Sequence, residues 1–146
     1  MNNLIIGGVL IFFSGLLDVF DGVVARYHNK VTKFGAFLDS TIDRFSDALI
    51  IIGLLAGGYT NWIIGILAIH SSLTVSYVRA SAESKGIPCS KGIGERASRL
   101  IILIVGTVIA TYIGRMYMAI AILILVFVAY VTVIQRIIHV WNWTKM

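Results

Sequence analysis

The stretch DVFDGVVAR, residues 18–26, decides the fold of this chain together with GAFLDSTID, residues 35–43. In an α-helix, residues three, four, seven or eight positions apart lie on one face. Each stretch therefore predicts a helix with two aspartates on a face that also carries small residues. These faces carry Asp18, Asp21, Gly22 and Ala25 in the first helix, and Gly35, Asp39 and Asp43 in the second. Two such helices packed along their small residues would bring four carboxylates together.

Four carboxylates this close need positive charge, because like charges a few Å apart raise one another's pKa and resist ionisation. One source of that charge is Arg26 and Arg44, which lie beside the aspartates in the sequence. The other is divalent metal, and oxygen ligands of this kind suit Mg²⁺, Mn²⁺ or Ca²⁺. The clustering of four of the chain's seven acidic residues favours the metal site.

The composition predicts a membrane protein. Of 146 residues, 58% are hydrophobic and only 13% are charged, with a mean hydropathy of +0.92. Soluble domains carry about 25% charged residues. We expect an all-α polytopic membrane helix bundle that forms a single domain, residues 1–146. Its five transmembrane helices are predicted at about 4–24, 34–57, 62–77 (extending as a helix to about 83), 100–112 (entered by a helix that begins near 94) and 117–138.

The basic residues predict the orientation of the bundle. Ten of the twelve basic residues lie in segments 26–33 and 79–99 and after residue 135. The positive-inside rule places these segments, and the aspartates near them, on the cytoplasmic side of the cell membrane. Five spans then put the N-terminus outside, so we expect a further span upstream. The net charge of +5 lies at the ends of apolar segments, which favours anionic lipid headgroups or a phosphorylated substrate over nucleic acid.

The spacing of the two stretches resembles the signature of the CDP-alcohol phosphatidyltransferase family. The pattern Asp-x2-Asp-Gly-x2-Ala-Arg-x8-Gly-x3-Asp-x3-Asp runs from Asp18 to Asp43 and matches all eight fixed positions. The resemblance implies six transmembrane helices, of which this chain matches the last five. It also implies transfer of a phosphatidyl-type group from a CDP-linked lipid to an alcohol, with release of CMP. The implied cofactor is a divalent metal, Mg²⁺ or Mn²⁺, with two ions expected.

The same resemblance assigns roles to individual residues. Asp18, Asp21 and Asp39 match the metal-binding aspartates, and Asp43 completes the cluster and matches the proposed general base. Gly22 and Ala25 match small positions that leave room for the cytidine nucleotide, and Arg26 matches a residue near its phosphates. Elementary chemistry agrees with these roles, since cleaving a pyrophosphate needs cations on its oxygens and a base for the attacking hydroxyl.

A second basic cluster predicts how the acceptor alcohol is bound. Arg79 ends the third apolar run, and Arg96 and Arg99 share one helix face before the fourth. We expect the three to bind an acceptor phosphate, although anchoring of helix ends at anionic headgroups explains them as well. The patterns YVRA (77–80) and ERASR (95–99) are similar to members that use inositol phosphate. Those members make archaetidylinositol phosphate in archaea and phosphatidylinositol phosphate in actinobacteria.

Several alternatives remain open from the sequence. The acceptor could be glycerol phosphate, serine or another small alcohol. A protein of a different class, a cation channel or transporter, also places carboxylates within a membrane, although usually near mid-bilayer. Asp47 continues the face of Asp39 and Asp43, and is expected to pair with Arg44 or Arg99 rather than to bind metal. The resemblance implies a homodimer, and Gly53 and Gly57 allow close helix contact either within the bundle or with a second copy.

Overall fold

The described part of the chain forms five helices. The computed structural model describes residues 2–27, 32–89 and 92–145, without the side chains of residues 2, 3, 14, 17–19 and 21–27. The described residues form helices and contain no strand, which confirms the all-α prediction. The helices are α1 (Asn2–Tyr27), α2 (Lys33–Ala56), α3 (Trp62–Glu83), α4 (Arg96–Tyr112) and α5 (Met116–Trp143).

The surface of the bundle suits a lipid environment. Among the described residues, α3 and α5 are each long and apolar enough to cross a membrane. Large apolar side chains cover the outer faces of several helices, including Phe45 on α2, Ile63 on α3 and Phe127 on α5, each at least two-thirds exposed. A contiguous apolar exterior is typical of a protein surrounded by lipid rather than water. The number of membrane spans stays a prediction.

Helix α5 is the centre of the bundle. It packs against both α3 and α4, while α2 packs against α3 and α1 packs against α4. Fully buried side chains of α5, Met118, Ile122 and Leu125, form the core of these contacts. Gly106 of α4 lies so close to Ala121 of α5 that a side chain on the glycine would overlap that alanine. Helix α5 therefore holds α3 and α4 together in the middle of the bundle.

The ends of the helices follow from local capping. Thr32 accepts a hydrogen bond from the amide of Gly35 at 2.9 Å, and Asn61 accepts one from Ile64 at 2.9 Å, so α2 and α3 each begin after an N-cap. The start of α4 differs slightly from its prediction near residue 94, because Gly94 donates its amide to Thr132 Oγ1 of α5 at 2.8 Å. This contact holds Gly94 outside the helix, which begins at Arg96.

The alternating directions of the helices bring five helix ends together. The start of α2, the end of α3, the start of α4 and the end of α5 all lie at the end of the bundle where α1 finishes. Among the described residues, Lys33, Arg79, Arg96 and Arg99 are therefore gathered at this end.

Candidate functional site

A polar cavity of about 560 Å³ opens at the end of the bundle where these helix ends meet. It is bounded by α2, α3, the start of α4 and the end of α5. Five arginines and four acidic residues line it, an unusual density of charge in a chain with so few charged residues. These are Arg44, Arg79, Arg96, Arg99 and Arg136, and Asp39, Asp43, Glu83 and Glu95.

Two of the predicted metal and catalytic residues lie on the α2 wall of this cavity. Asp39 and Asp43 are one helical turn apart, and both line it, as their shared helix face predicts. Asp39 is exposed, and the described residues include no ion-pair partner for it. Asp43 is more enclosed, with 16% of its side chain exposed. An accessible carboxylate such as that of Asp39 is the hard oxygen donor that Mg²⁺ or Mn²⁺ requires.

The other predicted residues of the metal and nucleotide site belong to the last turns of α1. The helix runs through Asp18, Asp21, Gly22, Ala25 and Arg26, but their side chains lie outside the described residues. Within the described part of the chain, no three acidic, histidine or cysteine side chains come together as a metal site. The convergence of four carboxylates on one point thus stays a prediction.

The guanidinium of Arg96 joins two carboxylates of α2. Its Nη1 lies 2.6 Å from Asp43 Oδ1, and its Nε lies 3.6 Å from Asp47 Oδ1. Arg44 contributes more weakly, with Nη1 at 3.8 Å from Asp43 Oδ2. Asp43 and Asp47 are four residues apart and so project from the same side of α2, at a spacing that one forked guanidinium can span.

Arg99 forms a buried ion pair beneath Arg96. Its Nη2 lies 2.7 Å from Asp47 Oδ2, and its Nη1 lies 3.4 Å from the carbonyl oxygen of Ser72 on α3. Only 5% of the residue is exposed. The predicted pairing of Asp47 with an arginine is confirmed, and the partner is Arg99 rather than Arg44.

The third predicted arginine lies across the cavity on α3. Arg79 Nε donates to Glu83 Oε1 at 2.8 Å, one turn further along the helix. Almost half of the Arg79 side chain is exposed, which leaves it the most accessible of the three arginines. Arg79 and Arg96 therefore approach the same space from two different helices.

Arg136 is a residue of the cavity that the sequence patterns did not predict. This arginine of α5 lines the cavity and is only 2% exposed. Its Nη1 donates to the carbonyl oxygen of Val75 at 2.7 Å, so α5 and α3 are joined at the cavity wall. Its position inside the last apolar run was the available signal, because a charged residue within an apolar span usually marks a functional site. In the sequence it served only to predict orientation, as one of the basic residues after residue 135.

Comparison with known proteins gives one consistent result. The family model described as CDP-alcohol phosphatidyltransferase matches residues 1–143. An archaetidylinositol phosphate synthase of Methanothermobacter thermautotrophicus is 52% identical over 143 residues, which cover 98% of this chain and 73% of that protein. Another archaetidylinositol phosphate synthase, from Pyrococcus horikoshii, is 40% identical over 139 residues, covering 94% of this chain and 70% of the relative.

A solved structure shares the fold. The crystal structure of Mycobacterium tuberculosis phosphatidylinositol phosphate synthase with CDP-DAG bound matches with a TM-score of 0.84 and 31% sequence identity. The match covers 94% of this chain and 74% of the mycobacterial chain.

Proposed function

Because this chain belongs to the CDP-alcohol phosphatidyltransferase family, we propose that it transfers a phosphatidyl-type group from a CDP-linked lipid to inositol phosphate. The chain is a membrane transferase of phospholipid biosynthesis. This family membership excludes the alternative class, a cation channel or transporter. The transferred group is diacylglycerol phosphate or archaeol phosphate, and CMP leaves. One observation carries the choice of a phosphorylated acceptor: five arginines line the cavity that also contains Asp39 and Asp43.

The donor side of the proposed site is the aspartate cluster. Asp18, Asp21 and Asp39 would hold the divalent metal, Mg²⁺ or Mn²⁺, with Asp43 completing the set. The exposed carboxylate of Asp39, on the face that α2 turns toward the cavity, supports this assignment. A divalent metal held by these carboxylates, with two ions expected, would supply positive charge for the oxygens of the CDP-lipid pyrophosphate. Gly22 and Ala25 would leave room for the cytidine, and Arg26 would contact its phosphates.

The acceptor side of the proposed site is the part of the cavity lined by Arg79, Arg96 and Arg99, here called the arginine wall. A volume of about 560 Å³ falls within the usual range of small-molecule sites and accommodates a sugar-sized phosphate ester. Arg79 and Arg96 approach the cavity from α3 and α4, so one phosphate between them would receive charged hydrogen bonds from both helices. Arg99 would support the same phosphate from behind, since two of its nitrogens already contact Asp47 and Ser72.

Asp43 would act as the general base for the attacking hydroxyl. It lies between the exposed Asp39 and the guanidinium of Arg96, at the boundary of the donor and acceptor sides. The hydroxyl oxygen would then attack the phosphorus of the donor lipid directly, the hydroxyl proton would pass to Asp43, and CMP would leave.

The position of the cavity supports a multi-pass protein with its active site facing the cytoplasm. Helix ends that carry the basic residues Lys33, Arg79, Arg96 and Arg99 meet at the cavity end of the bundle, and the positive-inside rule would put such an end on the cytoplasmic side. A homodimer remains part of the proposal. Gly53 of α2 has open space where a side chain would project, which leaves room for another helix. Crosslinking in native membranes would test it.

An acceptor panel tests the proposed function. The purified protein is given CDP-archaeol or CDP-diacylglycerol with Mg²⁺, and CMP release is measured with inositol phosphate, glycerol phosphate, serine and free inositol. We expect release with inositol phosphate to exceed release with every other acceptor. Preference for glycerol phosphate would change the acceptor and leave the chemistry intact. Preference for serine or free inositol would refute phosphate recognition by the arginines.

A further inference from the structure

Asp47 lies just outside the cavity, behind the arginines that line it. Its side chain is 14% exposed, and it is absent from the described residues of the cavity wall, whereas Arg96 and Arg99 belong to that wall. Its two oxygens contact different arginines, Oδ1 at 3.6 Å from Arg96 Nε and Oδ2 at 2.7 Å from Arg99 Nη2. Asp47 therefore reaches the cavity only through those side chains.

We propose that Asp47 is a positioning residue, which holds the guanidinium of Arg96 in the orientation that meets both Asp43 and the acceptor phosphate. Asp47 lies one turn beyond the aspartate signature on α2. This inference rests on the proposed function, because the acceptor phosphate is part of it. It adds a residue that the signature does not contain.

Arg96 contacts Asp43 and Asp47 through different nitrogens of its guanidinium. An arginine side chain has several rotatable bonds, so the groups that contact the guanidinium set its orientation. The carboxylate of Asp47 attracts the Nε edge and so contributes to that orientation. The distance of 3.6 Å is too long for a good hydrogen bond, so the attraction is mainly electrostatic and depends on the charge of Asp47.

The balance of charge between these arginines and the carboxylates of α2 also supports a positioning role for Asp47. Arg96 and Arg99 lie three residues apart on one face of α4, and Arg44 approaches from α2. Three guanidiniums would repel one another without the two carboxylates of α2 between them. Because Arg99 is nearly fully buried, removing the charge of Asp47 would leave it uncompensated, and both arginines would be expected to shift.

The test is a double-mutant cycle between Asp47 and Arg96, measured on the full chain in detergent with lipid. The variants are Asp47→Asn, Arg96→Lys and the double variant. Lysine keeps the charge but has a single nitrogen, which cannot contact two carboxylates as a guanidinium does. We expect Asp47→Asn alone to raise the KM for inositol phosphate about tenfold and to leave the KM for CDP-lipid within about twofold. In the Arg96→Lys background the same substitution should raise the acceptor KM by a clearly smaller factor, because the part of the effect that acts through Arg96 is already lost and only the part that acts through Arg99 remains.

Two comparisons separate positioning from a general loss of structure. Arg115→Ala removes a polar contact at the opposite end of the bundle, where Arg115 lies 4.7 Å from the ring centre of Tyr59 and bonds the carbonyl of Gly57. It should lower the melting temperature and leave the acceptor KM unchanged. Asp47→Glu keeps the charge and should recover most of the acceptor affinity. If Asp47→Asn does not fold, the cycle is run with Asp47→Glu, for which we expect an increase in the acceptor KM of about threefold that is smaller in the Arg96→Lys background.

Some outcomes would overturn the inference. If Asp47→Asn raises the acceptor KM by the same factor in the wild-type protein and in Arg96→Lys, Asp47 does not act through Arg96. A rise in the KM for CDP-lipid of the same size would indicate a structural role alone. The wild-type protein is assayed first with the whole acceptor panel. Failure with inositol phosphate there refutes the proposed acceptor, and the cycle is then run with whichever phosphorylated acceptor the protein uses.

Discussion

Arg96 and Asp43 form a short ion pair, 2.6 Å from Nη1 to Oδ1, that links the start of α4 to the middle of α2. Asp43 belongs to the aspartate signature, and Arg96 belongs to the arginine wall. The two halves of the proposed reaction, activation of a hydroxyl and recognition of a phosphate, thus share one contact. A change in either residue is expected to affect both.

Removal of a metal-binding carboxylate should abolish activity. Asp39→Asn keeps the size of the side chain and removes the negative charge that Mg²⁺ or Mn²⁺ needs. We expect CMP release to disappear at ordinary Mg²⁺ and to return in part at much higher Mg²⁺, with the same loss in Asp18→Asn and Asp21→Asn. The measurement is CMP release against metal concentration, with chelated wild-type protein as the reference. Wild-type activity in excess chelator would contradict a metal role.

Asp43→Asn tests the general base. General-base catalysis contributes about 10²–10⁴-fold, so turnover at saturating substrates should fall by that factor. The KM for CDP-lipid should change little, and the KM for the acceptor should rise because Arg96 loses a partner 2.6 Å away. Steady-state kinetics with each substrate varied in turn gives both values. Normal turnover at saturation combined with weak nucleotide binding would identify Asp43 as a metal ligand only.

Arg79→Ala and Arg96→Ala test recognition of the acceptor phosphate. A hydrogen bond to a charged group contributes about 1.5–3 kcal/mol, which corresponds to a rise of about ten- to a hundredfold in the acceptor KM. The KM for CDP-lipid should stay nearly constant, because the α1 residues are expected to bind that substrate. Lysine at either position should restore only part of the affinity. If these arginines only anchor helix ends at headgroups, both KM values will stay unchanged and lysine will restore expression.

Arg99 should matter more for stability than Arg79. Arg99 is almost fully buried in its ion pair with Asp47, and breaking a buried pair from one side costs about 3–5 kcal/mol. The pair of Arg79 with Glu83 is about half exposed, and such pairs contribute about 0–1 kcal/mol. Arg99→Ala should therefore lower the melting temperature in detergent clearly, and Arg79→Ala only slightly. A similar melting temperature for the two variants would argue against a stabilising role of the buried pair.

Gly94→Ala should disturb the approach to α4. A methyl group at residue 94 would lie 2.7 Å from Thr132 Oγ1 and 3.2 Å from the carbonyl oxygen of Val128, so the chain would have to move away from α5. We expect lower thermal stability and a higher acceptor KM, because Arg96 begins the helix two residues later. Gly86→Ala, in the same connection, is the comparison, because Gly86 has open space around it and a φ of +76°, whereas Gly94 has close contacts and no positive φ. Gly86→Ala therefore introduces backbone strain without contact with α5 and should leave the acceptor KM unchanged. An equal rise in the acceptor KM for both substitutions would mean that contact with α5 is not the cause.

The helices and the faces on which the aspartates lie followed from the sequence, because both are local properties. Apolar runs bounded by polar connectors predicted five helices, and their ends agree with α1–α5 within a few residues at most boundaries. Asp39 and Asp43 line one cavity because four residues are about one helical turn. The spacing of the eight signature positions also identified the family before any tertiary contact was known.

The pairing of charges was decided only by the tertiary structure. Arg96 and Asp43 are far apart in the chain, and so are Arg99 and Asp47, so their contacts depend on how α4 lies against α2 rather than on any local spacing. The same holds for Arg136, which looked like a terminal charge and became a cavity residue because α5 packs against both α3 and α4. The packing of apolar faces over the whole bundle determines which arginines meet which carboxylates.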